Sequence, residues 1–359
     1  VIFAPVAPVA NGANAATVAF IAAAFVIVAL ATYAGVRLIE RIAYRRQWLD
    51  HPTHRGSHEV ATARGGGLAF VTVTLIGSAM LLARFALLDG RWIAVLLAAA
   101  VIAAVSWIDD LQSLPSSIRF AVHIAAAIVV VMAFGAIDTI VLPGMLPLHL
   151  GAVARTIGMI VTVICIAGLT NAYNFMDGID GIAAAQAVIA GLAFAALACW
   201  NGLFAVAIVA ALIGASAAGF LLRNWSPATI FMGDVGSAFL GFVFALLPVA
   251  ASHQNPRFVL TGVLLLWPFV FDSAFTILRR LRNGENITQP HRTHLYQRLV
   301  RSGLSHATVA ALYAVLALLG AAAAFLVTTG TAAVSAYALI LIAAFLLWLF
   351  VLRRERIAM

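Results

Sequence analysis

The chain has 359 residues, of which 64% are hydrophobic and 9% charged, against roughly 45–50% and 25% in a soluble domain. That composition excludes a disordered protein, a coiled coil and an ordinary soluble enzyme. All 21 basic residues are arginine, which excludes lysine Schiff-base chemistry and the lysine-dependent P-loop.

A membrane-crossing helix needs about 20 apolar residues. The apolar runs are continuous rather than alternating, so helices rather than a β-barrel are expected. Eleven spans are predicted, at 15–36, 66–88, 91–108, 117–137, 155–172, 181–199, 203–222, 234–251, 259–278, 307–327 and 333–352. The chain therefore reads as a single all-α polytopic membrane domain, 1–359. Residues 1–14 form a short outer segment without arginine, so the first span is expected to act as its own insertion signal. Cys165 and Cys199 sit inside apolar runs and read as small buried hydrophobes.

Arginine placement sets the expected orientation. With the N-terminus outside and the C-terminus cytoplasmic, only Arg84, Arg91, Arg155 and Arg257 face outward, and the other 17 arginines face inward. Two inner segments are long, 37–65 and 279–306. The outer stretch 138–152, with Pro143, Gly144 and Pro147, reads as an irregular or hairpin loop. Gly214, Ser216 and Gly219 allow close helix packing.

Carboxylates in or beside membrane spans are costly and mark function by default. Asp109, Asp110, Asp177, Asp180 and Asp234 all fall at the inner ends of predicted spans, and Asp272 lies inside the ninth. Like charges gathered at low dielectric need a cation, protons or arginine partners.

In chain order, the first group is basic: Arg55-Gly56-Ser57-His58, then Arg64-Gly65-Gly66-Gly67. The triple glycine reads either as an anion-binding nest or as hinge and packing glycines. The second is Asp109-Asp110-Leu111-Gln112-Ser113-Leu114-Pro115, where an apolar run ends in two carboxylates. If the helix continues through them, they point about 100° apart. The plainer reading is a polar helix end.

The third group is Asn171-Ala172-Tyr173-Asn174-Phe175-Met176-Asp177-Gly178-Ile179-Asp180-Gly181. Asn171, Asn174, Asp177 and Asp180 recur every three residues and would form one polar stripe on a helix. These hard oxygen donors suit Mg²⁺ or Mn²⁺; ordinary turn and cap residues are the alternative. The fourth is Asn224-Trp225-Ser226-Pro227-Ala228-Thr229-Ile230-Phe231-Met232-Gly233-Asp234-Val235-Gly236-Ser237, in which Asp234 either joins that acidic cluster or caps the eighth helix.

The last group is Pro290-His291-Arg292-Thr293-His294-Leu295-Tyr296-Gln297-Arg298-Leu299-Val300-Arg301. With Arg279, Arg280 and Arg282 it can bind phosphate or carboxylate, although topology and contact with anionic membrane lipid explain several of these arginines as well. One membrane face thus carries a metal-grade acidic cluster and an anion-grade basic one. The net charge of +8 points to an anionic leaflet and a nucleotide-sugar, and no nucleic-acid partner is expected. A proton- or cation-coupled transporter is the competing class, but transporters hold such groups near the midplane, often in repeated halves.

These groups, in this order, resemble the polytopic polyprenyl-phosphate N-acetylhexosamine-1-phosphate transferases. That family includes the MraY-type peptidoglycan enzymes and the initiators of O-antigen, enterobacterial common antigen and teichoic acid synthesis. The resemblance runs from Arg55 to about Tyr313. It implies ten or eleven helices in a bacterial plasma membrane, with the active site facing the cytoplasm. It also implies transfer of a sugar-1-phosphate from a UDP-N-acetylhexosamine to undecaprenyl phosphate, giving an undecaprenyl-diphospho-sugar and UMP, with Mg²⁺ or Mn²⁺ required. The metal contact falls on Asp234, with Asn174 second. Asp109 and Asp110 take the family's acidic pair, Asp109 handling the lipid phosphate. Asp177 and Asp180 fall in the nucleotide-sugar motif with Asn171 and Asn174.

His294 keeps the family's place and is expected to be catalytic; Arg64, His291, Arg292 and Arg298 are read as substrate-binding residues from the basic groups themselves, His291 standing where family members often carry an acidic residue. A homodimer is an open possibility. Family members that make GlcNAc-lipids often carry a His-x-His-His run, where this chain has Tyr296 and Gln297 after Leu295. That departure looks like the O-antigen branch, which uses 6-deoxy sugars such as FucNAc or QuiNAc. The missing triple histidine argues against a muramoyl-pentapeptide substrate.

Overall fold

The computed structural model describes residues 15–50, 61–141, 148–149, 152–286, 289 and 291–358. The segment 1–14, the basic group Arg55-Gly56-Ser57-His58, and Pro143, Gly144 and Pro147 lie outside the described residues.

In chain order the helices are α1 (Ala15–Arg46), α2 (Gly67–Arg84), α3 (Gly90–Gln112), α4 (Ser116–Phe134), α5 (Ala152–Met176), α6 (Ile182–Trp200) and α7 (Phe204–Asn224). They are followed by α8 (Asp234–Ser252), α9 (Arg257–Leu265), α10 (Trp267–Arg282), α11 (Leu295–Arg301), α12 (His306–Thr329) and α13 (Ala333–Ala358). Two antiparallel two-residue ladders complete the described structure. β1 (Leu49–Asp50) pairs with β2 (Thr62–Ala63), and β3 (Thr139–Ile140) with β4 (Leu148–His149).

The protein is an all-α polytopic membrane protein. Ten of the described helices are long and apolar enough to cross a bilayer, and counting α9 with α10 as one broken span gives eleven. The expected ninth span is not straight, because α9 and α10 meet at 79°. Pro268 stands in the first turn of α10. Its missing N–H and its ring prevent one helix from running through. The break is pinned by Trp267, whose Nε1 donates to the Leu316 carbonyl at 2.8 Å.

Helix α8 is the centre of the bundle. Every residue from Val235 to Ser252 is buried, so it contacts protein all round, as an apolar helix without a polar face must. The outer helices instead turn large side chains outward, among them Met132, Leu222, Leu278 and Leu341. Such a surface suits hydrocarbon and not water. Cys165 and Cys199 belong to this outward face, free and exposed, which corrects the expectation that they are buried. A thiol is apolar enough for lipid contact. The small residues of α7 pack as expected: a Cβ on Gly214 would press on Leu192, and one on Gly219 would enter the Ala29 carbonyl.

Candidate active site

Helix α3 continues through both of its terminal aspartates, and their carboxylates part company as the 100° turn per residue requires. Asp109 accepts from the Leu114 N–H at 2.6 Å and from Arg119 Nη1 at 2.7 Å. Asp110 reaches α8, accepting the N–H groups of Asp234 at 2.9 Å and Val235 at 3.1 Å. It also pairs with Arg64 at 3.0 Å. Asp110 thus supplies the N-terminal cap that α8 lacks, because Gly233 in the cap position has no side chain to give. Gly233 has a φ of 77°, and a Cβ there would lie 2.5 Å from Asp110 Oδ2. Only glycine permits both the turn and the approach.

Arg119, near the start of α4, bridges two carboxylates. Its Nη1 lies 2.7 Å from Asp109 Oδ2 and 3.2 Å from Asp234 Oδ2. The reading that Asp234 caps its own helix does not hold, since its side chain faces Arg119 while Asp110 does the capping.

The expected polar stripe is helical only in its first half. Asn171 and Asn174 lie on α5, which ends at Met176; Asp177 and Asp180 follow in the turn. Asn174 Nδ2 donates to Ser237 Oγ at 2.8 Å, tying α5 to α8. Asn224 fixes the turn from below, accepting the Gly181 N–H at 3.1 Å and donating to the Ile230 carbonyl at 3.0 Å. Asp180 accepts the Ala228 N–H at 3.2 Å and faces His306 Nδ1 at 3.5 Å. Burial opposes its ionisation, but the bonds from His306 and Ala228 win and hold the carboxyl below its ordinary range. Asp177 is the opposite case. Burial, and then the charges of Asp234 and Asp110, push its carboxyl well above the ordinary range.

These residues surround a cavity of about 380 Å³. Its lining is acidic and amide at Asp50, Asn174, Asp177, Asp180, Asn224 and Asp234, with Ser237. Arg64, Arg292, Gln297 and Arg301 line the same cavity. Of the residues singled out in the sequence, the cavity therefore brings together Asn174, Asp177, Asp180, Asp234, Arg64 and Arg292.

Others stand outside its lining. Asp109 and Asp110 are turned into the bonds just described. Asn171 lies one turn earlier on α5. His291 Nδ1 is 3.1 Å from Thr293 Oγ1. His294 is 4% exposed, with its Nδ1 3.1 Å from Asp272 Oδ1, so it stands behind the wall and not on it. Arg298 is also buried, held by Glu355 of α13 through Nε at 2.6 Å and Nη2 at 2.5 Å. A substrate-binding Arg298 would first have to give up that pair.

The triple glycine is a packing device and not a nest. The N–H groups of Gly66 and Gly67 are spent on the carbonyls of Phe231 and Met232, each at 2.9 Å. Arg119 stood outside the sequence motifs, and Asn224, Ser237 and Arg301 lay within them with no role assigned. Arg119 carried a signal, as the next charge after Asp110 on the same side of the bundle. Among the described residues, no group of three or more His, Cys, Asp or Glu side chains converges as a ready metal cage.

The profile of glycosyl transferase family 4 matches residues 92–252, which span Asp109 through Asp234. A Bacillus subtilis (strain 168) protein named "Probable undecaprenyl-phosphate N-acetylglucosaminyl 1-phosphate transferase" is 31% identical over 289 residues, covering 80% of this chain and 79% of its own. The chain belongs to glycosyl transferase family 4. A Mycobacterium leprae decaprenyl-phosphate N-acetylglucosaminephosphotransferase is 31% identical over 314 residues, covering 78% of this chain and 77% of its own. A Streptococcus suis phospho-N-acetylmuramoyl-pentapeptide-transferase is 29% identical over 273 residues, covering 73% and 77%. The family match thus lies over the two acidic ends of α3 and α8 that meet through Asp110.

Proposed function

We propose that this family member transfers an N-acetylhexosamine-1-phosphate from a UDP-sugar to undecaprenyl phosphate, releasing UMP. The observation that carries the reading is a single cavity lined by both carboxylates and arginines. A diphosphate needs both, a cation for its charge and guanidinium groups for its oxygens. A transporter site would lie near the midplane, and nothing in this arrangement favours one.

The donor set fits a hard divalent cation such as Mg²⁺ or Mn²⁺. Asp234 and Asp177 offer carboxylates to the same cavity. Asn174 has its amide nitrogen committed to Ser237, which leaves its carbonyl oxygen as the ligating atom. Mg²⁺ is usually held by one or two carboxylates plus substrate phosphates, so the absence of a three-residue cage among the described residues suits it. When bound, the cation would neutralise charge on the diphosphate.

This chain's residues would do the rest by position. Arg64, Arg292 and Arg301 orient the diphosphate in the cavity. Arg119, held by Asp109 and Asp234, supplies positive charge where a lipid phosphate would enter. A phosphate monoester has a second pKa of about 6, so the lipid phosphate is largely dianionic at neutral pH and needs no strong base. Its oxygen attacks the β-phosphorus; the bond from that phosphorus to the bridging oxygen breaks, and UMP leaves with the electron pair. Asp109 then orients the nucleophile through Arg119. A two-step route through an aspartyl-phosphate is the alternative.

Orientation follows from the arginines: the cavity end of the bundle faces the cytoplasm of a bacterial plasma membrane. The sugar is GlcNAc or a 6-deoxy N-acetylhexosamine. The relatives' names support the former. Gln297 on the cavity wall, where GlcNAc-lipid enzymes often carry histidine, supports the latter and an O-antigen role. Purified protein given undecaprenyl phosphate, Mg²⁺ and UDP-GlcNAc, UDP-FucNAc or UDP-QuiNAc in turn tests this through UMP release. Release with none of them overturns the reading.

A further inference from the structure

Asp272 is the carboxylate that the reaction does not use. It lies inside α10 and is fully buried. An ionised carboxylate there is costly, and this one is surrounded by donors. Oδ1 accepts the Leu295 N–H at 2.8 Å, and lies 3.1 Å from His294 Nδ1 and 3.2 Å from Thr276 Oγ1. Oδ2 accepts the Tyr296 N–H at 3.0 Å and the Tyr313 hydroxyl at 2.6 Å. A carboxylate accepts only, so His294 Nδ1 carries the proton and donates. One side chain therefore joins α10, the start of α11 and α12.

Helix α11 is short, and on its own it would be marginal. Its other ties lead to the cavity. Gln297, Val300 and Arg301 line the cavity. The Tyr296 hydroxyl donates to the Phe175 carbonyl at the end of α5, at 3.0 Å. The same hydroxyl fills the space that a Cβ on Gly178 would need, so it lies against the turn that bears Asp177 and Asp180. Asp272 thus holds a helix that brings Gln297, Val300 and Arg301 to the cavity and whose Tyr296 braces the turn bearing Asp177 and Asp180.

We propose that Asp272 is a positioning residue that, with His294, sets the place of α11 against the cavity and against the turn bearing Asp177 and Asp180. This rests on the transferase reading for its functional readout. An asparagine of the same shape would not serve. Its amide nitrogen would face either the Leu295 N–H and His294 or the Tyr296 N–H and Tyr313, donor against donor. A misplacement of about 1 Å at a reacting centre costs on the order of 100-fold in rate.

The test uses full-length protein in lipid nanodiscs, with Asp272→Asn, Tyr313→Phe and Tyr296→Phe compared with wild type. Turnover and KM for the UDP-sugar are read by UMP release, and amide hydrogen exchange is followed over residues 291–301. Asp272→Asn is expected to lower kcat about 100-fold with a much smaller change in KM, and to speed exchange at Leu295 and Tyr296 while α8 stays protected. Tyr313→Phe keeps four of the five bonds and should show a smaller kcat loss of the same kind. If Asp272→Asn fails to fold, the two tyrosine variants carry the test. Wild-type kcat in the folded variants overturns the proposal, and so does a fall in kcat with unchanged exchange. Failure of the transferase reading is distinguishable, because it appears in the wild type as an absence of UMP release.

Discussion

The Asp110 carboxylate accepts the backbone N–H of Asp234 across 124 residues of sequence, at 2.9 Å. The end of α3 therefore builds the start of α8, the helix at the centre of the bundle. Asp110→Ala would leave the Asp234 and Val235 N–H groups and the Arg64 guanidinium without this acceptor. Each orphaned backbone N–H costs about 1–3 kcal/mol, while Arg64 is exposed enough to turn to water. The melting midpoint in detergent should fall by several degrees, with activity lost in parallel. An unchanged midpoint would show that water replaces the cap.

Asp109 and Asp234 share Arg119. Arg119→Gln removes the positive charge between two carboxylates and is expected to lower turnover about 100-fold, in the range seen when one preorganised transition-state donor is removed. The chain should still fold, because Arg119 is partly exposed. Steady-state rates against undecaprenyl phosphate, together with a melting curve, check this. Near-normal turnover would remove Arg119 from the site.

Gly178 and the Tyr296 hydroxyl compete for one space. Gly178→Ala should displace α11 and reduce turnover about tenfold or more, a fraction of the cost of a full 1 Å misplacement. Adding Tyr296→Phe in the same chain should recover part of that loss, since it removes the atom closest to the new Cβ. A double-mutant cycle on kcat measures the coupling. Strictly additive losses would mean that the two residues do not meet.

Asp180 gives a pH dependence with a definite sign. Its folded carboxyl is held below the ordinary value of 3.8, so its ionised form stabilises the fold. That contribution is fully present above the unfolded value and is lost as pH falls through the folded one. The destabilisation caused by Asp180→Asn should be present at about pH 5 and shrink below about pH 4. Melting midpoints of both proteins across that range test it. A penalty that grows on acidification would contradict the assignment.

The spans were legible because hydrocarbon imposes length and polarity on each helix separately, which a single sequence displays. Asp109, Asp110, Asn174, Asp177, Asp180 and Asp234 stood out for the same reason, as polar groups where polar groups are costly. What was not legible depends on meetings between distant segments. Nothing near Asp110 indicates that it caps α8, and nothing near Asp272 indicates that five donors from three elements converge on it. The 79° break before α10 had a local sign in Pro268, masked by the apolar residues around it. His294 stood out by its place in the last motif and Arg298 by its charge, and their burial against Asp272 and Glu355 is a property of the packed bundle.

The reaction exchanges one diphosphate bond for another, so it should run backwards readily. Added UMP should regenerate UDP-sugar from the lipid product. Failure to do so under conditions that support forward transfer would count against the proposed chemistry.

The most direct test of the account is UMP release from a UDP-N-acetylhexosamine and undecaprenyl phosphate by purified wild type and by Asp234→Asn, each with Mg²⁺ and with EDTA. The account predicts release only by wild type with Mg²⁺, from two proteins that melt within a few degrees of each other. Release by folded Asp234→Asn at the wild-type rate, or by wild type in EDTA, would contradict it.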